Sequence, residues 1–170
     1  MKSQVALLRG INLGKRQLKM DDLRRIAAEL GLDQPRTYIA SGNLLFRSDQ
    51  SETALKRMLE SALANHMSAR VEVMIRTADE LAATVRANPF ASEDSSRVVA
   101  IFLDSRPGPD ALGNAQNVED ERMGARAREI YVHYPSGQGR SRLKIPAAAS
   151  GTARNMNTIA KLAELAREKP

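Results

Sequence analysis

An apolar strand runs directly into a polar loop in the stretch Val5-Ala6-Leu7-Leu8-Arg9-Gly10-Ile11-Asn12-Leu13-Gly14, near the start of this 170-residue chain. The four apolar residues predict a strand buried on both faces, because half-exposed strands alternate polar and apolar residues. Ligands often bind where polar loops follow buried strands, so Arg9, Asn12 and nearby backbone N–H groups are candidate contacts. The structural alternative is a turn in which the glycines provide backbone geometry and Asn12 caps local amides.

The residues that follow predict two helices and three strands. A first helix is indicated by apolar residues at helical spacing, namely Met20, Leu23, Ile26, Ala27 and Leu30. Residues 36–40 and 44–47 predict two strands joined by a tight turn at Ser41-Gly42-Asn43, because Gly and Asn tolerate positive φ. Ser51 is a plausible N-cap for the second helix, and residues 71–76 alternate like a strand. The order β-α-β-β-α-β over about 75 residues is the ferredoxin-like arrangement.

The second half of the chain predicts fewer elements. Residues 98–103 and 130–134 predict strands, and residues 118–123 predict a weaker strand that pairs with the second of these through the region of Gly124. A closing helix is indicated by the apolar residues Ile159, Leu162, Ala163, Leu165 and Ala166, which share one face. This half therefore resembles an incomplete copy of the first that lacks an obvious final strand.

The domain organisation follows from a break in the apolar pattern. Periodicity disappears over residues 88–96, Asn-Pro-Phe-Ala-Ser-Glu-Asp-Ser-Ser, after a helix opened by a capping box at Thr77-Ala78-Asp79-Glu80. We therefore predict an α+β protein with a ferredoxin-like half at residues 1–87, a linker at 88–96, and a smaller α+β half at 97–170 packed against the first.

Composition restricts the compartment and the chemistry. The chain has no cysteine, which excludes disulfides and thiolate chemistry and suits a reducing cytoplasm. The apolar run at residues 5–8 is too short for a signal sequence or a membrane span. We therefore expect a cytoplasmic protein that does not associate with a membrane.

The positive charge is concentrated at the C-terminal end. The formal net charge is +6, and residues 1–120 contain 16 Lys and Arg against 16 Asp and Glu. Residues 121–170 contain 10 against 4, so the whole excess lies there. An anionic partner would meet this basic C-terminal segment, although a solvated basic surface that maintains solubility is an equally simple explanation.

Three familiar kinds of site are disfavoured. RNA-recognition motifs need an open sheet face with exposed aromatics, and here only Phe46 is available on the first and third strands. His66 and His133 have no second ligand at metal-binding spacing, so no metal is predicted. Gly10 to Gly14 with Lys15-Arg16 follows a strand but matches neither the Walker nor the dinucleotide spacing.

A second polar signature, Thr152-Ala153-Arg154-Asn155-Met156-Asn157-Thr158, precedes the closing helix. Thr152 or Asn155 can cap that helix, and Arg154 can pair with an anion or a carboxylate. Capping explains one of the polar residues but not all of them, which indicates a ligand or interdomain role. We predict a shared site if this signature meets Arg9 to Asn12, and fold support if it does not.

We interpret the chain as a protein that binds an anionic partner, either nucleic acid or a phosphorylated small molecule, through its polar loops and basic C-terminal segment. Arg and Lys would contact phosphate oxygens, and Asn and Ser would orient the ligand or hold the loops. The candidate contacts are Arg9, Asn12, Ser41, Asn43, Arg140, Arg142, Lys144, Arg154, Asn155 and Lys161. Two alternatives use the same residues: an enzyme acting on a small anionic substrate, with no catalytic residue identified, and a module that docks an acidic protein. No cofactor is predicted.

Several separated motifs also carry a family resemblance. Residues 5–14, Met20 with Leu23, residues 37–46 and residues 152–158 together resemble the bacterial domain-of-unknown-function 1697 family. The resemblance implies an α+β fold with a ferredoxin-like part in a usually cytoplasmic protein, and it implies no established activity. Met156 departs from the family pattern, where an aromatic residue, usually Trp, is common; the change favours a packing role for this position.

Overall fold

The computed structural model describes residues 1–168, and its first strands form a four-stranded antiparallel sheet. The elements are β1 (Lys2–Leu8), α1 (Met20–Glu29), β2 (Asp33–Thr37), β3 (Asn43–Ser48), α2 (Glu52–Met67), β4 (Val73–Thr77) and α3 (Ala78–Arg86). The strand order is β2-β3-β1-β4, and every neighbouring pair is antiparallel. The α+β class and the element order β-α-β-β-α-β are therefore as predicted.

Both faces of this first sheet are buried, as the apolar run predicts. Ala6 and Leu8 contact a core that includes apolar residues of α1 and α2. Val5 and Leu7 alternate with them, so they point to the opposite face, and they are fully buried as well. Phe46 is also buried, which leaves β1 and β3 without an exposed aromatic side chain for base stacking.

A second four-stranded sheet follows, and its strands repeat the order of the first. It contains β5 (Val98–Phe102), β6 (Arg122–Arg126), β7 (Glu129–His133) and β8 (Thr152–Asn155), and the last strand leads into α4 (Met156–Arg167). The order is β6-β7-β5-β8, again antiparallel throughout. In chain order, each sheet therefore runs second, third, first, fourth.

β8, the final strand of the second sheet, is not predicted by the sequence. Thr152 and Arg154 of this strand are buried while Ala153 between them is exposed. The strand escapes detection because its inward-facing residues are polar, the reverse of the usual alternation.

The crossover connections distinguish the two sheets. α1 and α2 form the connections of the first sheet, whereas those of the second contain no α-helix and include only the short 3-10 helices Gln138–Arg140 and Pro146–Ala148. Apolar side chains of these irregular connections, such as Leu112 and Ile145, pack with Val99 and Val132 in place of a helix.

Turn positions differ from the sequence prediction in both sheets. Asn43 does not lie in the turn but begins β3, and the turn residues with positive φ are Ile39 (φ 50) and Gly42 (φ 90). In the second sheet Gly124 lies within β6, and the chain reverses after it at Ala127, whose φ is 49. The sequence does not reveal the turns at Ile39 and Ala127, because Ile and Ala normally avoid the left-handed region of the backbone.

Helix starts are predicted more accurately than turns. The Oγ of Ser51 accepts the N–H of Ala54 at 3.2 Å, which confirms the N-cap of α2. Thr77 and Glu80 exchange hydrogen bonds of 2.8 and 3.2 Å between side chain and backbone, which confirms the capping box of α3.

The chain forms two compact units, and each is described by itself. Among the described residues, the first unit contains Met1–Leu81 and residues 162–168, and the second contains Ala82–Lys161. Residues 88–94 contain no helix or strand. The domain boundaries given by the sequence, 1–87 and 97–170, stay a prediction, and residues 169 and 170 lie outside the described part.

Candidate functional site

The loop of the first signature is held together by Asn12. Its Nδ2 donates hydrogen bonds to the carbonyl oxygens of Ala40 (2.6 Å) and Leu18 (3.0 Å), and its Oδ1 accepts the N–H of Leu18 at 2.7 Å. Its own N–H donates to the carbonyl oxygen of Arg16 at 2.5 Å. Asn12 adopts φ 55, a conformation that Asn tolerates better than most residues. Asn12 therefore ties the loop after β1 to the turn between β2 and β3.

Two arginines contact one carboxylate beside this loop, and a third arginine is linked to them. Arg9 Nη1 is 3.5 Å from Glu72 Oε2, and Arg70 Nη2 is 3.8 Å from Glu72 Oε1. Arg16 joins the group because its Nη2 donates to the carbonyl oxygen of Arg70. Both contacts of Glu72 are longer than a good charge-assisted hydrogen bond, so the carboxylate does not fully engage either partner.

Ser41 and Asn43 are occupied with the turn that they flank. Asn43 is fully buried, and its Nδ2 donates to the carbonyl oxygen of Tyr38 and to Ser41 Oγ, each at 3.0 Å. The two candidate residues therefore hold the β2–β3 turn against the end of β1.

Arg154 in the second signature is a buried cation rather than a surface one. It is 8% exposed, and its Nη1 donates to Thr152 Oγ1 (2.8 Å) and to the carbonyl oxygen of Ala153 (2.9 Å). Burial lowers the pKa of Arg154 to about 10. A group this enclosed has little surface to offer a large anionic partner.

The other polar residues of the second signature also have partners in the fold. Asn155 Oδ1 accepts the N–H of Thr158 at 2.9 Å, so Asn155 caps α4. Asn157 Oδ1 accepts a hydrogen bond of 2.6 Å from Ser95 Oγ. Met156 is buried, in agreement with a packing role. Lys161 on α4 is half-buried and interacts within the fold.

Arg76, at the end of the predicted strand at residues 71–76, is a second buried arginine. It is 1% exposed, and its Nη1 donates to the carbonyl oxygen of Ile75 at 2.9 Å. Arg76 precedes Thr77, which caps α3, as Arg154 precedes Asn155, which caps α4. The two sheets thus place a buried arginine and a helix cap at equivalent positions, and the different residue types hide this repeat in the sequence.

The remaining candidate cations form a different kind of surface. The side chains of Arg140, Arg142 and Lys144, here named the cation ladder, are all exposed, while Ser141, Leu143 and Ile145 alternate with them and face inward. The backbone is extended at Ser141 and Ile145. Within residues 1–168 no ion pair or side-chain hydrogen bond involves the three ladder side chains. Three exposed cations therefore project from a short segment that begins at the end of the 3-10 helix Gln138–Arg140 and continues with extended backbone at Ser141 and Ile145.

The backbone of the ladder is fixed to the second unit. Ser141 Oγ donates to Glu121 Oε1 at 2.5 Å and accepts the N–H of Leu143 at 3.1 Å. Lys144 exchanges two backbone hydrogen bonds with Gln116, of 2.8 and 3.0 Å. These contacts hold the segment in place, and sequence analysis missed both Glu121 and Ser141 because they are 20 residues apart without a recognisable spacing.

We expect the contact between Glu121 and Ser141, which anchors the ladder segment, to be sensitive to acid. Its hydrogen bond from Ser141, followed by the one from the N–H of Glu119 (2.7 Å), holds the pKa of Glu121 below its ordinary value. A carboxyl with a lowered folded-state pKa stabilises the fold above its unfolded pKa of about 4.3, and this contribution disappears as the pH falls through the folded value.

We expect Glu121→Gln to destabilise the protein at about pH 7 and to make progressively less difference below about pH 4. Urea unfolding of both proteins across this range measures the difference in unfolding free energy. A difference that stays constant down to about pH 3 would contradict the role of the carboxylate.

The candidate residues thus separate into two groups. Arg9, Asn12, Ser41 and Asn43 lie at one end of the first sheet, where Leu7 pairs with Asn43 and the loop after β1 meets the β2–β3 turn. All the other candidates belong to the second unit, and of these only the ladder is fully exposed.

A cavity of about 250 Å³ lies in the first unit and contains Gln4, Gln34, Arg36, Arg47 and Glu168 in its lining. The groups with the most displaced pKa values, Tyr131 and Arg154, belong to the second unit, where burial is the main cause of each shift. The enzyme alternative, which requires such groups in an enclosed pocket, gains no support from this cavity.

Two further kinds of feature are absent from residues 1–168. No group of three or more His, Cys, Asp or Glu side chains in this range could hold a metal ion. None of its helices has the length and apolar character needed to cross a membrane.

Comparison with known proteins identifies the family. The family model described as "Protein of unknown function (DUF1697)" matches residues 1–131. The chain belongs to the DUF1697 family. This DUF1697 chain is also similar to a solved structure titled "The structure of conserved bacterial protein SP0830 from Streptococcus pneumoniae", with 25% identity and a TM-score of 0.80 over 99% of each chain. No curated protein matches the DUF1697 chain.

Proposed function

We propose that this protein binds an extended polyanion, with single-stranded nucleic acid as the best-fitting class, through the cation ladder of Arg140, Arg142 and Lys144. The observation that supports this proposal is the presence of three exposed cations on one anchored segment whose side chains have no partner among residues 1–168. Elsewhere many exposed arginines have acidic partners, as Arg25 has Glu29 and Arg122 has Glu93.

The spacing of the ladder suits a chain of phosphates better than a single phosphate. Arg142 and Lys144 lie between the extended residues Ser141 and Ile145, and side chains two residues apart on an extended backbone are about 7 Å apart. This distance is on the scale of the separation between successive phosphates of an extended nucleic-acid strand. Arg140 and Arg142 can each form bidentate contacts with phosphate oxygens, and Lys144 adds a point charge.

The surroundings of the ladder favour binding without sequence preference. None of the six residues from Arg140 to Ile145, which carry the ladder, is aromatic, so this segment offers no platform on which bases could stack. Phosphate contacts position a protein on nucleic acid but carry no base information. The affinity should therefore depend on salt and little on sequence.

Fluorescence anisotropy with labelled single-stranded DNA and RNA tests this function. The triple variant Arg140→Ala, Arg142→Ala, Lys144→Ala removes three phosphate contacts, and each contact contributes about 0.7 to the slope of log affinity against log salt. We therefore expect the triple variant to bind at least about tenfold more weakly at low salt, with a slope smaller by about 2.

The matched control is Lys2→Ala, Arg57→Ala, Arg86→Ala, which removes the same charge from exposed positions outside the ladder. We expect it to retain most of the affinity when the two triple variants are compared at about 0.1 M salt, because long-range charge effects are screened within about 10 Å there. Equal losses in the two triple variants, or no binding by the wild type at low salt, would overturn the proposal.

A further inference from the structure

We infer that the first unit contains a separate binding site for a phosphate monoester, formed by the backbone N–H groups of Gly10 and Ile11 and the guanidinium of Arg16. This site lies in the loop after β1 and goes beyond the proposed function, since it shares no residue with the cation ladder. The site combines backbone donors and a guanidinium nitrogen that have no partner among residues 1–168 with a local excess of positive charge.

The backbone supplies two donors side by side. The N–H groups of Arg9 and Asn12 are satisfied by the carbonyl oxygens of Glu72 (2.9 Å) and Arg16 (2.5 Å). Between them, the N–H groups of Gly10 and Ile11 have no acceptor among residues 1–168. Successive N–H groups at a residue of positive φ, such as Gly10 (φ 67), can form an anion-binding concavity.

Arg16 places an incompletely satisfied guanidinium next to these donors. Its Nη1 lies 3.5 Å from the position that a Cβ would occupy on Gly10, so the cation lies against the glycine. Its Nη2 donates to the carbonyl oxygen of Arg70, which fixes the side chain. Its Nε is buried and makes no hydrogen bond with any described residue. Phosphate oxygens are the acceptors that a guanidinium fork binds best.

The local charge matches the ligand. Arg9, Arg16 and Arg70 contribute three positive charges, and Glu72 contributes the carboxylate that contacts two of them at 3.5 and 3.8 Å. The excess of two positive charges complements the dianion of a phosphate monoester.

Titration of the ¹⁵N-labelled protein with inorganic phosphate, at constant ionic strength, tests the site directly. We expect saturable shifts of the Gly10 and Ile11 amide resonances in the wild type and in the cation-ladder triple variant alike. Absence of these shifts, or their loss in the ladder variant, would overturn the inference, because the phosphate would then bind elsewhere.

Two substitutions test the guanidinium. Arg16→Ala should weaken phosphate binding at least about tenfold, and Arg16→Lys should recover only part of the loss because it keeps the charge without the fork. The exposed Arg57→Ala serves as the control and should bind like the wild type. Equal binding by Arg16→Ala and Arg57→Ala would overturn the inference. Failure of the nucleic-acid proposal is recognised separately, as oligonucleotide binding that the ladder variant leaves unchanged.

Discussion

Gly42→Ala is expected to lower the free energy of unfolding of the first unit by about 2–5 kcal/mol. Gly42 has φ 90, and a Cβ there would lie 2.7 Å from Ile11 Cδ1 and 2.9 Å from Leu8 Cβ. The left-handed backbone costs a residue with a Cβ about 1–2 kcal/mol, and overpacking costs about 1–3 kcal/mol more. Both contributions act where the turn before β3 packs on the loop after β1.

Gly14→Ala is the matched control, and urea unfolding followed by circular dichroism measures both variants. Gly14 also has positive φ, 62, but no neighbouring atom lies within 4 Å of its Cβ position. It should therefore lose only the conformational contribution, about 1–2 kcal/mol. Equal losses for the two variants would contradict the close packing of Gly42 against Ile11.

Asn12→Ala should destabilise the first unit by about 2–4 kcal/mol. The substitution removes the hydrogen bonds to Ala40 and Leu18, and each is worth about 0.5–1.5 kcal/mol, with more lost where a buried partner remains unpaired. Alanine also tolerates φ 55 less well than asparagine.

Asn12→Gly separates these two causes, because glycine accepts positive φ freely but makes no side-chain hydrogen bond. We expect it to be more stable than Asn12→Ala by about 1 kcal/mol and still less stable than the wild type. Thermal or urea unfolding measures the series. A fully stable Asn12→Ala would show that the hydrogen bonds of this side chain do not support the loop.

The elements that could be predicted are those in which side-chain polarity follows burial. The element types of β1 and α1 were predicted correctly because the buried side chains of Val5 to Leu8 and of the α1 stripe are all apolar. β8 was missed because Thr152 and Arg154 face inward. Asn43 was assigned to a turn from its residue type, yet its buried side chain serves the turn from the first position of β3.

The site was predictable in residue type but not in exposure. Arg140 and Arg154 are the same residue in the same basic segment, yet one is exposed and the other is buried with partners inside the fold. Arg16 was not among the predicted contacts, because its position against Gly10 and Arg70 arises only when the chain folds. Sequence shows where cations occur, and tertiary contacts determine which of them remain available.

The different crossovers of the two sheets have a consequence for how the chain folds. The strands have the same order in both sheets, but the crossovers of the first form α1 and α2, whose backbone hydrogen bonds are local. The distant strand pairs of the second sheet, such as Val99 with Asn155, must close without a helix in their crossovers. Strand pairs of the first sheet are at least as distant, for example Val5 with Arg76, but α1 and α2 can form from local hydrogen bonds before these strands meet. We therefore expect helix formation to precede strand pairing in the first sheet, whereas loop closure and strand pairing alone order the second.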